Sequence, residues 1–185
     1  DNALLEILDE QLIAPANIIF QKRTEYTAQL MPLVEEFYHS IADNNEAISF
    51  TYKSHLQKES FRDLLTRTHE RDRILQRTSA GIHKDEISFE LNGQPFKNIA
   101  SQGQRKSLLF ALKLAQYQLL KKFNFFSPVL LLDDVFEKLD EKRMHRLLQW
   151  VCKDNDGQVF ITDTHRQRLE DAFTRLDIKG QMIEL

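Results

Sequence analysis

Apolar positions in the first third of the chain recur at helical spacing. Leu4, Leu5, Leu8, Leu12 and Ile13 mark a helix from Asn2 to about Ala14, which Pro15 is expected to punctuate. A second run holds Ile18, Ile19, Tyr26, Leu30, Leu33, Val34 and Phe37, and Pro32 within it predicts a kink or a division. The stretch AISFTYK, Ala47 to Lys53, alternates as a strand does. Ser60 to Gln76 returns to helix, with Phe61, Leu64, Leu65, Ile74 and Leu75 set among charges. Residues 1–80 therefore read as a mainly helical lobe.

The pattern changes at Gly81. EISFELNGQPF alternates and then meets Asn-Gly, a hairpin signal. The segment ASQGQRKSLLFALKLAQYQLLKKF predicts a loop entering a long helix, with Leu108, Leu112, Ala115 and Leu119 on its inner face. PVLLL is short, continuous and apolar, as a strand covered on both faces of a parallel sheet would be. A helix from about Glu141 to Lys153, the strand QVFIT and a helix near Gln167 to Phe173 follow, and the final IKGQMIEL is a candidate further strand. Strand and helix alternate here, so residues 81–185 predict an α/β fold built on a mostly parallel sheet with flanking helices.

Composition narrows the picture little. Lys and Arg number 25 against 28 Asp and Glu, a net charge of -3, so contact with nucleic acid would need a local basic patch. The candidates are Lys22 with Arg23, and Arg62 to Arg73. Acidic residues Glu59, Asp63, Glu70 and Asp72 are interspersed with the second group, which reads equally as a solvated helix face. A single cysteine, Cys152, rules out an internal disulfide and suits a reducing cytosol. No apolar run approaches the length of a membrane helix, so a cytoplasmic location is expected. The opening DNALLEILDE starts within a helical pattern and without Met, which suggests a portion of a longer protein.

The chemistry gathers at strand ends. Val129 to Leu132 lead straight into Asp133 and Asp134, two adjacent carboxylates that repel each other unless a cation or proton lies between them. In an open α/β sheet ligands sit beyond the carboxyl ends of the strands, where Thr162 to His165 also fall. A Mg²⁺ ion held by one carboxylate and shared with a nucleotide phosphate would supply the missing charge, leaving the other carboxylate to orient or deprotonate a water. The simpler alternative is that the Asp pair caps a turn and His165 is structural. Ser101, Gln102, Gly103 and Gln104 form a loop entering a helix, able to bind a phosphate through free N–H groups or merely to cap that helix.

Taken in order, SQGQ, helix, PVLLLDD, EKLD, helix, strand and TH resemble the C-terminal half of an ABC-type ATPase head. The resemblance implies that Ser101 to Gln104 are the signature loop, covering ATP bound to the other subunit. It makes Asp133 the magnesium-side Asp, Asp134 the catalytic carboxylate, Asp140 the D-loop Asp and His165 the switch His. Position 134 is more often Glu in ABC transporters, which implies a shorter reach and slow hydrolysis. GIHKDEISFELNG, SQGQRKSLLFALKLAQ, PVLLLDDVFEKLD and LDEQLIAPANIIFQKR further resemble the RecF family of bacterial DNA replication and repair proteins, related to the SMC ATPases. Ile82, Lys84 and Glu86 depart from that family's pattern.

Membership would imply ATP and Mg²⁺ as cofactors and an ATP-dependent homodimer on DNA at single-strand/double-strand junctions. It would also imply RecR, RecO and RecA as partners in recombinational repair and the SOS response. No G-x-x-x-x-G-K-[ST] phosphate loop occurs in these residues, so the resemblance places that loop in an N-terminal segment and makes this portion inactive by itself. Two rivals stand beside it. One is a non-catalytic ATPase-like scaffold; the other is a metal-dependent nuclease or phosphatase using Asp133, Asp134 and His165.

Overall fold

The computed structural model describes residues 2–42, 46–124, 126–133 and 139–183, with side chains from residue 4 onward. One helix, α1, runs unbroken from Asn2 to Ile41 over 40 residues. Neither Pro15 nor Pro32 ends it, contrary to the sequence expectation. Each proline costs the helix one backbone bond, and helix-forming neighbours on both sides carry the chain through.

The chain forms two compact units that interleave in sequence: residues 1–29 with 49–90, and residues 30–48 with 91–185. The sequence reading instead places one boundary near residue 80. Interleaving follows from strand pairing, because β1 (Ile48–Lys53) pairs with β2 (Glu86–Leu91) and β2 with the short β3 (Gln94–Pro95). The bonds Asn92 N–H to Ala47 O and Ser88 Oγ to Thr51 O run oppositely along the first two strands, so they are antiparallel. Asn92 and Gly93 both take positive φ, 52° and 75°, as a two-residue hairpin turn requires.

In the first unit α2 (Phe61–Leu75) is capped by Ser60, whose hydroxyl accepts from the Asp63 N–H, and ends on left-handed Gln76. Phe61, Leu64 and Leu65 bury their side chains with Ala16 and Ala80, and Ile13, Leu56 and Ile82 pack around them. Asp85 holds the chain before β2: it accepts from Arg23 at 2.8 Å and from the Tyr52 hydroxyl at 2.7 Å. Burial first, and then that carboxylate, push the Tyr52 phenol up.

In the second unit the last turns of α1 bury Leu30, Val34, Phe37, Tyr38 and Ile41 at helical spacing. After the one-turn α3 (Phe96–Ile99) comes α4 (Gln102–Phe123), whose buried face includes Leu108, Ala111, Leu114 and Ala115. Strand β4 (Leu130–Asp133) lies parallel to β5 (Val159–Thr162), with Asp133 opposite Thr162. Between them α5 (Glu141–Gln149) continues into one wide turn, Trp150–Asp154, closed by the Asn155 N–H on the Trp150 carbonyl. Trp150 meets Phe37 edge-to-face at 4.8 Å and Tyr117 at 6.3 Å. Next to it, burial pushes the Cys152 thiol up to about 11. The last helix is α6 (Arg166–Leu176).

Two strand expectations differ from the structure. Leu130 and Leu132 are buried, but Leu131 is 67% exposed and its register partner Phe160 50%, so among the described residues the β4–β5 layer is covered on one face. Residues 178–183 form no strand and belong to neither described sheet. No helix among the described residues is long and apolar enough to cross a membrane.

Two substitutions test this packing. Leu114→Ala opens a cavity at a fully buried position and should cost about 2–5 kcal/mol of unfolding free energy. A Cβ at Gly157 would lie 2.0 Å from the Tyr117 hydroxyl and 3.1 Å from the Pro128 carbonyl. Gly157→Ala should therefore destabilise by about 1–3 kcal/mol, read as a lower midpoint in denaturant unfolding.

Candidate functional site

Two clusters of polar side chains stand out, both in the second unit. The first lies at the carboxyl ends of the parallel strands. Because β4 and β5 end in register, Asp133 and Thr162 are neighbours, and the Thr162 hydroxyl donates to Asp133 Oδ1. Asp133 is exposed, and among the described residues only its Oδ1 accepts a hydrogen bond. A carboxylate beside a hydroxyl is a hard-oxygen set of the kind that suits Mg²⁺.

One residue further, the Asp163 side chain turns back and accepts from the His165 N–H at 2.8 Å, the turn that Asp forms with the amide two residues on. Its side chain is 1% exposed, against 60% for His165, and the two come within 3.6 Å at His165 Nδ1. The Thr164 hydroxyl contacts the same nitrogen at 3.0 Å. Asp163 and Thr164 thus hold the imidazole by its Nδ1 side. Asp134 lies outside the described residues. Among those described, no three His, Cys, Asp or Glu side chains converge as a metal site.

The second cluster surrounds the start of α4. Ser101 and Gln104 form a reciprocal capping box: Gln104 N–H donates to Ser101 Oγ at 3.2 Å, and Ser101 N–H donates to Gln104 Oε1 at 2.8 Å. The N–H groups of Gln102 and Gly103 precede intrahelical bonding and carry the positive end of a 22-residue helix. Capping and phosphate binding are thus compatible, because the box leaves the first-turn amides open.

One turn on, Ser107 is wholly buried and its hydroxyl donates to the Gly103 carbonyl at 3.0 Å. Ser107 Oγ accepts in turn from Arg143 Nη1 at 3.0 Å. Arg143 is only 8% exposed although it stands in the first turn of α5. Its Nε donates to Asp140 Oδ2 at 3.0 Å and its Nη2 to Glu46 Oε1 at 2.5 Å. Asp140 caps α5 by accepting from the Arg143 N–H at 2.9 Å, and the Tyr38 hydroxyl donates to Glu46 Oε2 at 2.5 Å.

The charges of Asp140 and Arg143 are set by partners working against burial. Burial alone would raise the Asp140 carboxyl, yet the amide and charge of Arg143 outweigh it and hold the group below the usual carboxylate range. Burial likewise favours loss of the Arg143 proton, and Glu46 with Asp140 overrides that, so the guanidinium stays charged. Tyr38 is pushed up by burial first and by Glu46 second, which keeps it a neutral donor. A buried pair of this kind adds little net stability, but removing one partner costs about 3–5 kcal/mol, because the other is left buried and unpaired.

The sequence reading named Ser101 to Gln104, Asp133, Asp140 and His165, placed Asp163 at the strand-end rim without a role of its own, and missed Arg143 and Glu46. The available signal was a polar residue within an apolar stripe: Ser107 shares its face with Ala111 and Leu114, and Arg143 shares its face with Leu147. The candidate phosphate-facing charges are largely neutralised within the first unit. Arg23 pairs with Asp85, Arg62 with Glu10, Arg67 with Glu59 and Arg73 with Glu70.

No family model matches the chain. Individual proteins do. The DNA replication and repair protein RecF of Azobacteroides pseudotrichonymphae is 45% identical over 171 residues, 92% of this chain and 47% of the relative. A structure of the recombination mediator protein RecF with ATP in the RecFOR pathway superposes with a TM-score of 0.72 at 26% identity, covering 89% of this chain and 46% of that one. An SMC head bound to the winged-helix domain of ScpA shares the fold, with a TM-score of 0.50 at 14% identity over 80% of this chain and 38% of that one. The architecture is that of an ABC-type ATPase head, and the chain, spanning about half the length of the curated relatives it matches, belongs to the RecF family.

Proposed function

We propose that the protein containing this chain is an ATP-dependent DNA-binding protein of recombinational repair and replication-fork maintenance. Two heads close on ATP and clamp gapped or junction DNA, and hydrolysis releases it. The observation that carries this reading is the in-register ending of β4 and β5, which sets Asp133 beside Thr162 with His165 held just beyond.

In this reading Asp133 would hold Mg²⁺, by way of a water, and the ion would supply positive charge against the phosphates. Asp134 would orient the attacking water as the catalytic carboxylate, and His165 would act as the switch His at the γ-phosphate. Ser101 to Gln104 act in trans, the Gln102 and Gly103 amides meeting the phosphates of ATP on the other subunit. Asp140, the D-loop Asp of this reading, supports that interface from the start of α5. ATP itself requires a phosphate-binding loop from outside these residues. RecR, RecO and RecA are the partners this reading assigns, with RecA loading as the outcome. The rival metal-dependent nuclease leaves the open amides at Gln102 and Gly103 without a task.

Light scattering on the full-length protein tests the switch. Mass should double with Mg²⁺-ATP, stay single with Mg²⁺-ADP or no nucleotide, and stay single in every condition for Ser101→Arg. Mass indifferent to ATP in the wild type would sink the reading. DNA binding gives a second test, because a phosphate clamp releases counterions on association. Affinity should fall at least about a hundredfold between roughly 50 and 200 mM salt, and a flat salt response would exclude the clamp.

A further inference from the structure

We propose that Arg143 is a positioning residue which locks the SQGQ turn of α4 to the Asp140 cap of α5, so that the two move as one piece. An unbroken path of hydrogen bonds joins them. The Gly103 carbonyl accepts from Ser107 Oγ, which accepts from Arg143 Nη1, while Arg143 Nε and its N–H fill both oxygens of Asp140. The Ser107 hydroxyl has one proton to give and gives it to Gly103, so its lone pair is left for a donor. Arginine supplies that donor in a rigid fork, which a lysine cannot reproduce.

The fork's remaining arm is anchored as well. Glu46, side chain 12% exposed, receives Arg143 Nη2 on one oxygen and the Tyr38 hydroxyl on the other. The guanidinium is thereby fixed from three sides: α4, the start of α5 and the segment after α1. The middle of the path, Ser107 and Arg143, is buried, while the Asp140 side chain at its end is 60% exposed. Both Asp140 oxygens accept hydrogen bonds from Arg143, so the Asp140 carboxylate serves as a clasp at the start of α5. In the closed dimer, where this inference rests on the function proposed above, the signature turn and the Asp140 start of α5 would arrive at the interface in fixed register.

Amide hydrogen exchange on the nucleotide-free full-length protein tests the lock directly, comparing wild type with Ser107→Ala and Arg143→Lys. Ser107→Ala removes the bridge and leaves the Arg143–Glu46 pair, so it guards against simple misfolding of the arginine variant. Each substitution should raise exchange about tenfold at both residues 102–107 and residues 140–146, the scale set by one hydrogen bond to a charged group. Loosening confined to the substituted helix would overturn the proposal, as would wild-type protection at both sites. Light scattering with Mg²⁺-ATP separates the two ideas. A wild type that fails to dimerise counts against the proposed function, whereas the exchange result decides the lock in either case.

Discussion

A charged guanidinium in the interior is the constraint around which the second unit is organised. Arg143 reaches its place because Asp140 starts α5 and turns its first face inward, where Leu147, Leu148 and Val151 follow at helical spacing. Once buried, it imposes conditions on three distant stretches of sequence. Position 107 must be small and able to accept, position 46 must be an anion, and position 38 must donate to that anion. Failure of one condition leaves an unpaired charge or polar group in a low dielectric, so the apolar neighbours cannot close over it unless the whole set is made.

The strand-end cluster follows a different logic. Its geometry comes from backbone register alone: two parallel strands of equal length place Asp133 and Thr162 side by side, and the next turn aims His165. Nothing buried needs to be satisfied for the exposed Asp133 to stand there, which suits a residue meant to meet a ligand. The buried Asp163 is the exception, and its task is to hold the turn from beneath. One site is thus shaped by ladder geometry and the other by a desolvated hub.

The sequence made the elements legible where local chemistry decides them. Ser60 and Ser101 announced helix starts, Asn92-Gly93 announced the hairpin, and the aliphatic runs before Asp133 and Thr162 announced the strands. It was less informative where tertiary context decides. Pro15 read as a break and Pro32 as a kink or a division, yet one helix spans both. The Arg62 to Arg73 run read as a possible phosphate-facing patch, while its partners Glu10 and Glu59 could be assigned only in three dimensions. Arg143 escaped for the same reason: its meaning lies in Glu46, which is 97 residues away in the chain.

The state of Cys152 has a practical side. Its thiol, raised to about 11 by burial, is almost wholly protonated near neutral pH, and only the thiolate attacks electrophiles. A cysteine introduced at an exposed position, with an ordinary thiol acidity, would hold roughly two orders of magnitude more thiolate at the same pH. Fluorophores or spin labels can therefore be placed on the chain selectively while its native cysteine stays in place beside Trp150.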